Sequence, residues 1–218
     1  ESKMEFLFDY IISISVDDKI RHLRIKNRNR ENYQNMIKLE KYQYDNDKKA
    51  SLADFVITEA GFAADLGAEK FMDIKCRLAG IEPSCVVIVA TIRALKMHGG
   101  VKKTDLANPN IDALKKGFEN LKVHIQNIKK FGVPVVVAVN KFITDTDEET
   151  SLLVDMCKEL GSKVCITEGW EKGGLGAETL AKEVASIVEN EKSDFQFLYP
   201  LEMPLKEKIE TLATKIYR

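Results

Sequence analysis

The chain has 218 residues, enough for one substantial domain or one domain with an appendage. Charged residues make up 31% and hydrophobic residues 44%, which excludes a disordered tail; a net charge of -1 removes any global electrostatic case for nucleic acid or membrane binding. No apolar run approaches the ~18 residues that span a bilayer, and no leader with a small-residue cleavage site is read at the N-terminus, so a cytoplasmic protein is expected. Cys76, Cys85, Cys157 and Cys165 show neither a C-x-x-C metal pattern nor the density of a disulfide framework.

Residues 1–50 differ from the rest. They carry 11 Lys+Arg and 9 Asp+Glu and contain no glycine or proline. They are expected to form a separate, largely helical N-terminal segment of unknown role. Within it Lys19, Arg21, Arg24, Lys26, Arg28 and Arg30 crowd together. Two readings stand: a nucleic-acid arm, or a solvated helix face flanked by Asp17, Asp18 and Glu31.

From residue 51 to 218 the pattern alternates. Phe55–Ile57, Cys85–Ala90, Val135–Val139 and Val164–Ile166 read as buried parallel strands. Between the second and third, Ile111, Leu114, Phe118, Leu121, Ile125 and Ile128 recur at helical spacing, with Asn110 as cap and Gly132 as stop. A further helix spans roughly Asp147 to Leu160 and halts at Gly161. Another begins near Glu178, and the last follows Pro204. The expected fold class is α/β, a parallel sheet with helices on both faces.

Ligands in such sheets bind beyond the carboxyl ends of the strands, so the segments that follow each strand are the place to look. After the first strand come Glu59, Phe62 and Asp65; the carboxylates read as metal or Arg93 partners, or as caps. After the second come Arg93, Lys96 and His98, positive charge suited to phosphate or carboxylate. His98 is either a general acid–base or a structural loop histidine. The third strand is followed by Asn140, Lys141 and Phe142, the last an aromatic where a polar loop is expected. N-K-x-D base reading is not supported, because the fourth position is Ile143 and not aspartate. After the fourth strand lie Trp170, the only tryptophan, and Gly173, Gly174 and Gly176. Trp170 either stacks on a flat heterocycle or covers a core edge. The glycines either admit an anion or purine edge to backbone N–H groups or simply form a turn into the next helix. Together, Phe142 and Trp170 suggest a stacking slot.

Longer stretches carry a resemblance. Val89-Ala90-Thr91-Ile92-Arg93-Ala94-Leu95-Lys96-Met97-His98-Gly99-Gly100, Thr58 through Phe71, Asp73-Ile74-Lys75-Cys76-Arg77 and Ala213-Thr214-Lys215-Ile216-Tyr217 resemble formate–tetrahydrofolate ligase (10-formyltetrahydrofolate synthetase). The similarity runs from about Ser51 to Arg218, and Leu66-Gly67-Ala68 is closer to the bacterial monofunctional form. The resemblance implies an ATP-dependent carbon–nitrogen ligase of one-carbon metabolism, with P-loop NTPase-like layering. It would use Mg²⁺-ATP to make formyl phosphate from formate, then transfer the formyl group to tetrahydrofolate, and would tend to form homo-oligomers. It further implies folate stacking by Phe142 and Trp170 and nucleotide contacts from Asn140, Gly173, Gly174 and Gly176. Arg93, Lys96 and His98 belong to the motif without an assigned role, and Glu59, Phe62 and Asp65 are further pocket candidates. No metal ligand is expected from this chain.

The departures are specific. The sequence contains no G-E-G-K-[ST] phosphate loop and no K-G-G-A-A-G-G-G-Y stretch; Ala63 and Ala177 replace glycines, Ile143 a proline and Gly169 a branched residue. The 218 residues by themselves are therefore expected to be inactive. The alternative reading is a non-catalytic folate- or nucleotide-binding module whose N-terminal segment serves a partner.

Overall fold

The structure, a computed structural model, describes residues 55–217 and the backbone of Ile12–Ser15. The basic run of residues 19–30 lies outside the described residues. The chain divides into two compact units, residues 1–60 and 61–218. In the first, strand β1 (Ile12–Ser15) pairs in parallel with β2 (Phe55–Thr58), Ile12 opposite Phe55.

The second unit opens with helix α1 (residues 63–79), which contains wide π-helical turns at Ala63–Ala68 and Phe71–Cys76 before an α-helical end at Arg77–Ala79. Then follow β3 (Val86–Ala90), α2 (Ile92–His98), α3 (Ile111–Lys129), β4 (Val135–Asn140) and α4 (Asp147–Glu159). Next come β5 (Lys163–Thr167), the single turn α5 (Gly169–Lys172), α6 (Glu178–Asn190) and α7 (Leu205–Lys215). Strands β3, β4 and β5 form a parallel sheet in that order, Val86 opposite Val135 and Val137 opposite Val164. All three end at one edge, as parallel pairing requires.

Alternation along β4 explains the layers. Val137 and Val139 pack with Leu114, Phe118 and Leu121 of α3 and Leu153 of α4; Val136, on the opposite face, packs with Cys165 and with Ile187 of α6. Both faces are covered, so β4 is apolar from Val135 to Val139. Helix α3 comes so close to α2 that a Cβ on Gly117 would lie 1.8 Å from the Leu95 carbonyl. Glycine is what permits this backbone contact.

Three of the four expected strands share this sheet. The fourth, Phe55–Ile57, does not: it pairs with β1, and its own Val56 and Ile57 are exposed, unlike the doubly buried β4. The helix boundaries follow the caps. Asn110 accepts the N–H of Ala113 at 2.9 Å to start α3, and Gly161, in the left-handed region, follows α4.

The Asp73–Arg77 motif fastens α1 to the chain that follows α6. Asp73 accepts the Leu198 N–H at 3.0 Å, while Arg77 donates to the Tyr199 carbonyl at 2.6 Å and covers the Phe197 ring at 3.8 Å. Burial pushes the Asp73 carboxyl up to about 6.

Candidate functional site

The carboxyl edge of the sheet is built one strand at a time. After β3, the hydroxyl of Thr91 caps α2 by accepting the Ala94 N–H at 3.1 Å. Ile92 and Leu95 then face the core, which turns Arg93 outward. Its guanidinium lies 5.7 Å from the Phe142 ring centroid, within cation–π range.

Lys96 points the other way. It is fully buried, 3.0 Å from the equally buried Glu149, and donates to the Asn108 carbonyl at 3.0 Å. Its charge is engaged inside the protein. Glu149 also accepts the Asn110 N–H at 2.9 Å and the Thr146 hydroxyl at 3.0 Å. The residue spacing Thr146-x-x-Glu149 is a capping box, the sequence signal that would have located this partner. His98 is exposed, and its charge helps to hold down the pKa of His124, which burial lowers first. Asp65 approaches His124 at 4.0 Å and acts in the opposite sense. Phe62 is 86% exposed, its carbonyl accepting the Gly67 N–H at 2.8 Å. Glu59 belongs to the first unit and is exposed.

After β4, Lys141 donates its backbone N–H to the Thr167 carbonyl at 2.9 Å, and its ammonium meets Asp147 at 2.7 Å. Residues 142–145 close a β-turn, the Asp145 N–H donating to the Phe142 carbonyl at 2.9 Å. In return the Asp145 carboxylate accepts the Phe142 N–H at 2.8 Å. Asp145 was not among the residues the sequence singled out.

After β5, Trp170 sits on the short α5 and is 75% exposed, so it does not cover the core. The loop that carries it is closed by the Glu168 N–H donating to the Gly176 carbonyl at 2.9 Å. A Cβ on Gly176 would lie 2.4 Å from the Glu168 carbonyl, so this glycine has a structural duty inside its own loop. Gly173 and Gly174 are exposed and meet no such obstacle.

Adjacent strands bring the two aromatics into neighbouring loops. Asn140, the last residue of β4, is opposite Thr167, the last of β5. Phe142 lies two residues beyond the first and Trp170 three beyond the second, from strands about 4.8 Å apart. A family model described as formate–tetrahydrofolate ligase matches residues 44–218. The chain belongs to that family.

Among the described residues, no group of three or more His, Cys, Asp or Glu side chains is arranged to hold a metal ion. A depression of about 530 Å³ lies between the end of α2 and the start of α3, lined by Gly100, Lys102, Asp105, Asn108 and Asn110. Arg93, Phe142 and Trp170 do not line it, and an open concavity without a buried polar group says less about chemistry than the aromatic edge does. No helix among the described residues is long and apolar enough to cross a membrane.

Proposed function

We propose that this chain provides the folate-binding edge for ATP-dependent ligation of formate to tetrahydrofolate, yielding 10-formyltetrahydrofolate by way of formyl phosphate. The observation that carries the reading is the Asn140–Thr167 register, which starts the Phe142 and Trp170 loops side by side. A pterin is flat and aromatic, and offset stacking between two rings is favourable by roughly 0.5–1.5 kcal/mol beyond area burial. The Arg93 guanidinium near the Phe142 ring adds positive charge on the same edge, suited to formate, a phosphate or the folate glutamate. Asn140, Gly173 and Gly174 are the candidates for the nucleotide side. The parallel sheet with helices on both faces supports P-loop NTPase-like layering, although these 218 residues contain no G-E-G-K-[ST] loop.

Trp170 is the only tryptophan, so its fluorescence reports on the site without a label. Tetrahydrofolate should quench it saturably, and Phe142→Ala should move the midpoint about tenfold higher, the equivalent of about 1.4 kcal/mol. A midpoint unaffected by Phe142→Ala would refute the slot.

A further inference from the structure

Both backbone polar groups of Phe142 are bonded to a single residue. Its N–H donates to the Asp145 carboxylate at 2.8 Å, and its carbonyl accepts the Asp145 N–H at 2.9 Å. Asp145 is only 7% exposed, and its second carboxylate oxygen, Oδ1, is buried with no hydrogen-bond partner. Such an oxygen is costly to bury, so the side chain is held where it is by what it does for its neighbours. The carboxyl group has no open face toward a ligand. Whatever effect it has on one passes through the Phe142 loop.

We propose that Asp145 is the positioning residue of the folate site: it clamps the Phe142 backbone so that the ring is held beside Arg93 with a face open for stacking. This rests on the folate reading of Phe142 above and names the residue that sets its geometry. The turn itself explains the need. Ile143, inside the turn, is 84% exposed and packs on nothing that could orient the loop, so hydrogen bonds must do it. The charged groups around Asp145 are Arg93 and Lys96 from α2 and Glu149 from α4. Burial raises its pKa above the ordinary aspartate value; the Phe142 N–H, Lys96 and Arg93 oppose this, and Glu149 reinforces it. Protonation weakens an acceptor, so the clamp is tighter when the carboxyl is ionised.

The test labels the 218-residue chain with 4-fluorophenylalanine and follows its ¹⁹F spectrum, the Phe142 line being assigned by its loss in Phe142→Leu. In the free chain, Asp145→Ala should shift or broaden that line while the lines of buried Phe118 and Phe131 stay in place. Asp145→Asn keeps an acceptor for the Phe142 N–H, so its line should remain near the wild-type position and lose the pH dependence seen in wild type. This arm holds even where the alanine variant fails to fold. Addition of tetrahydrofolate, read by Trp170 quenching, should show affinity about tenfold weaker in Asp145→Ala, no weaker still in Asp145→Ala with Phe142→Ala, and within about twofold of wild type in Asp145→Asn. A Phe142 line indifferent to Asp145→Ala, or one that titrates equally in Asp145→Asn, overturns the clamp; additive losses in the double variant overturn its action through Phe142. If tetrahydrofolate perturbs neither aromatic in wild type, the folate reading fails by itself, and the free-chain spectra show whether the clamp exists apart from it.

Discussion

Lys96 and Glu149 meet at 3.0 Å with neither side chain open to solvent. The pair joins α2, three residues after Arg93, to the start of α4. Removing one partner strands the other charge, which typically costs about 3–5 kcal/mol. Glu149→Gln retains the capping-box geometry and isolates the charge effect, since glutamine also serves at that position. Urea unfolding should show a loss of roughly 3 kcal/mol for Glu149→Gln, partly restored by adding Lys96→Met. A loss below about 1 kcal/mol would show that the pair contributes little.

The same carboxyl group carries a pH signature. Burial pushes the Glu149 pKa up, but the Asn110 N–H, Lys96 and the Thr146 N–H and hydroxyl outweigh it and hold the carboxyl below its ordinary value of 4.5. A depressed acid stabilises the folded state above its unfolded pKa, and that contribution disappears as pH falls through the folded value.

Asp73 behaves in the opposite sense. With its carboxyl raised from 3.8 to about 6, the folded state binds the proton more tightly than the unfolded chain. Its contribution is therefore complete below about pH 4 and declines as pH rises through about 6, by roughly 2–3 kcal/mol at most. Asp73→Asn preserves an acceptor for the Leu198 N–H and has no proton to lose. Unfolding curves at pH 4.5 and 7.5 should differ less for this variant than for wild type; equal differences would assign the pH dependence elsewhere.

Ala63 is the one described non-glycine residue with positive φ, at +61°. A left-handed L-residue is disfavoured by about 1–2 kcal/mol, and part of this is regained when the Cβ is removed. Ala63→Gly should raise stability by about 1 kcal/mol, seen as a higher urea midpoint. A lower midpoint would mean that the alanine methyl is needed for packing.

Ile143 occupies the second position of the Phe142–Asp145 turn, where proline pre-sets the backbone and the turn hydrogen bond comes from Asp145 instead. Ile143→Pro should stabilise the chain by roughly 0.4–1 kcal/mol and tighten tetrahydrofolate binding slightly. Weaker binding together with lower stability would show that residue 143 has another φ.

The 218-residue chain should show no formate-dependent phosphate release from ATP with tetrahydrofolate and Mg²⁺, because it contains no G-E-G-K-[ST] loop to cradle the transferred phosphoryl group. Turnover abolished by Arg93→Ala would show that other groups replace that loop.

The strands β3, β4 and β5, the bounds of α3 and the family motifs were legible in the sequence, because each depends on residues close together in the chain: branched runs, helical spacing, an Asn110 cap, glycines at stops. Phe142 and Trp170 stood out for the same reason, as aromatics in polar surroundings. Tertiary structure decided what those signals could not. Periodicity describes a strand's faces and not its edge partner, so nothing local showed that Phe55–Thr58 pairs with Ile12–Ser15 and not with the main sheet. Nor does a motif tell which of its charges face inward. Arg93 and Lys96 lie in one short helix three residues apart, yet the first stands over an aromatic ring and the second is buried on Glu149, 53 residues away in the chain. That division follows from the packing of α2 against α3 and α4, since a buried ammonium is tolerated only where a carboxylate and a carbonyl already wait for it.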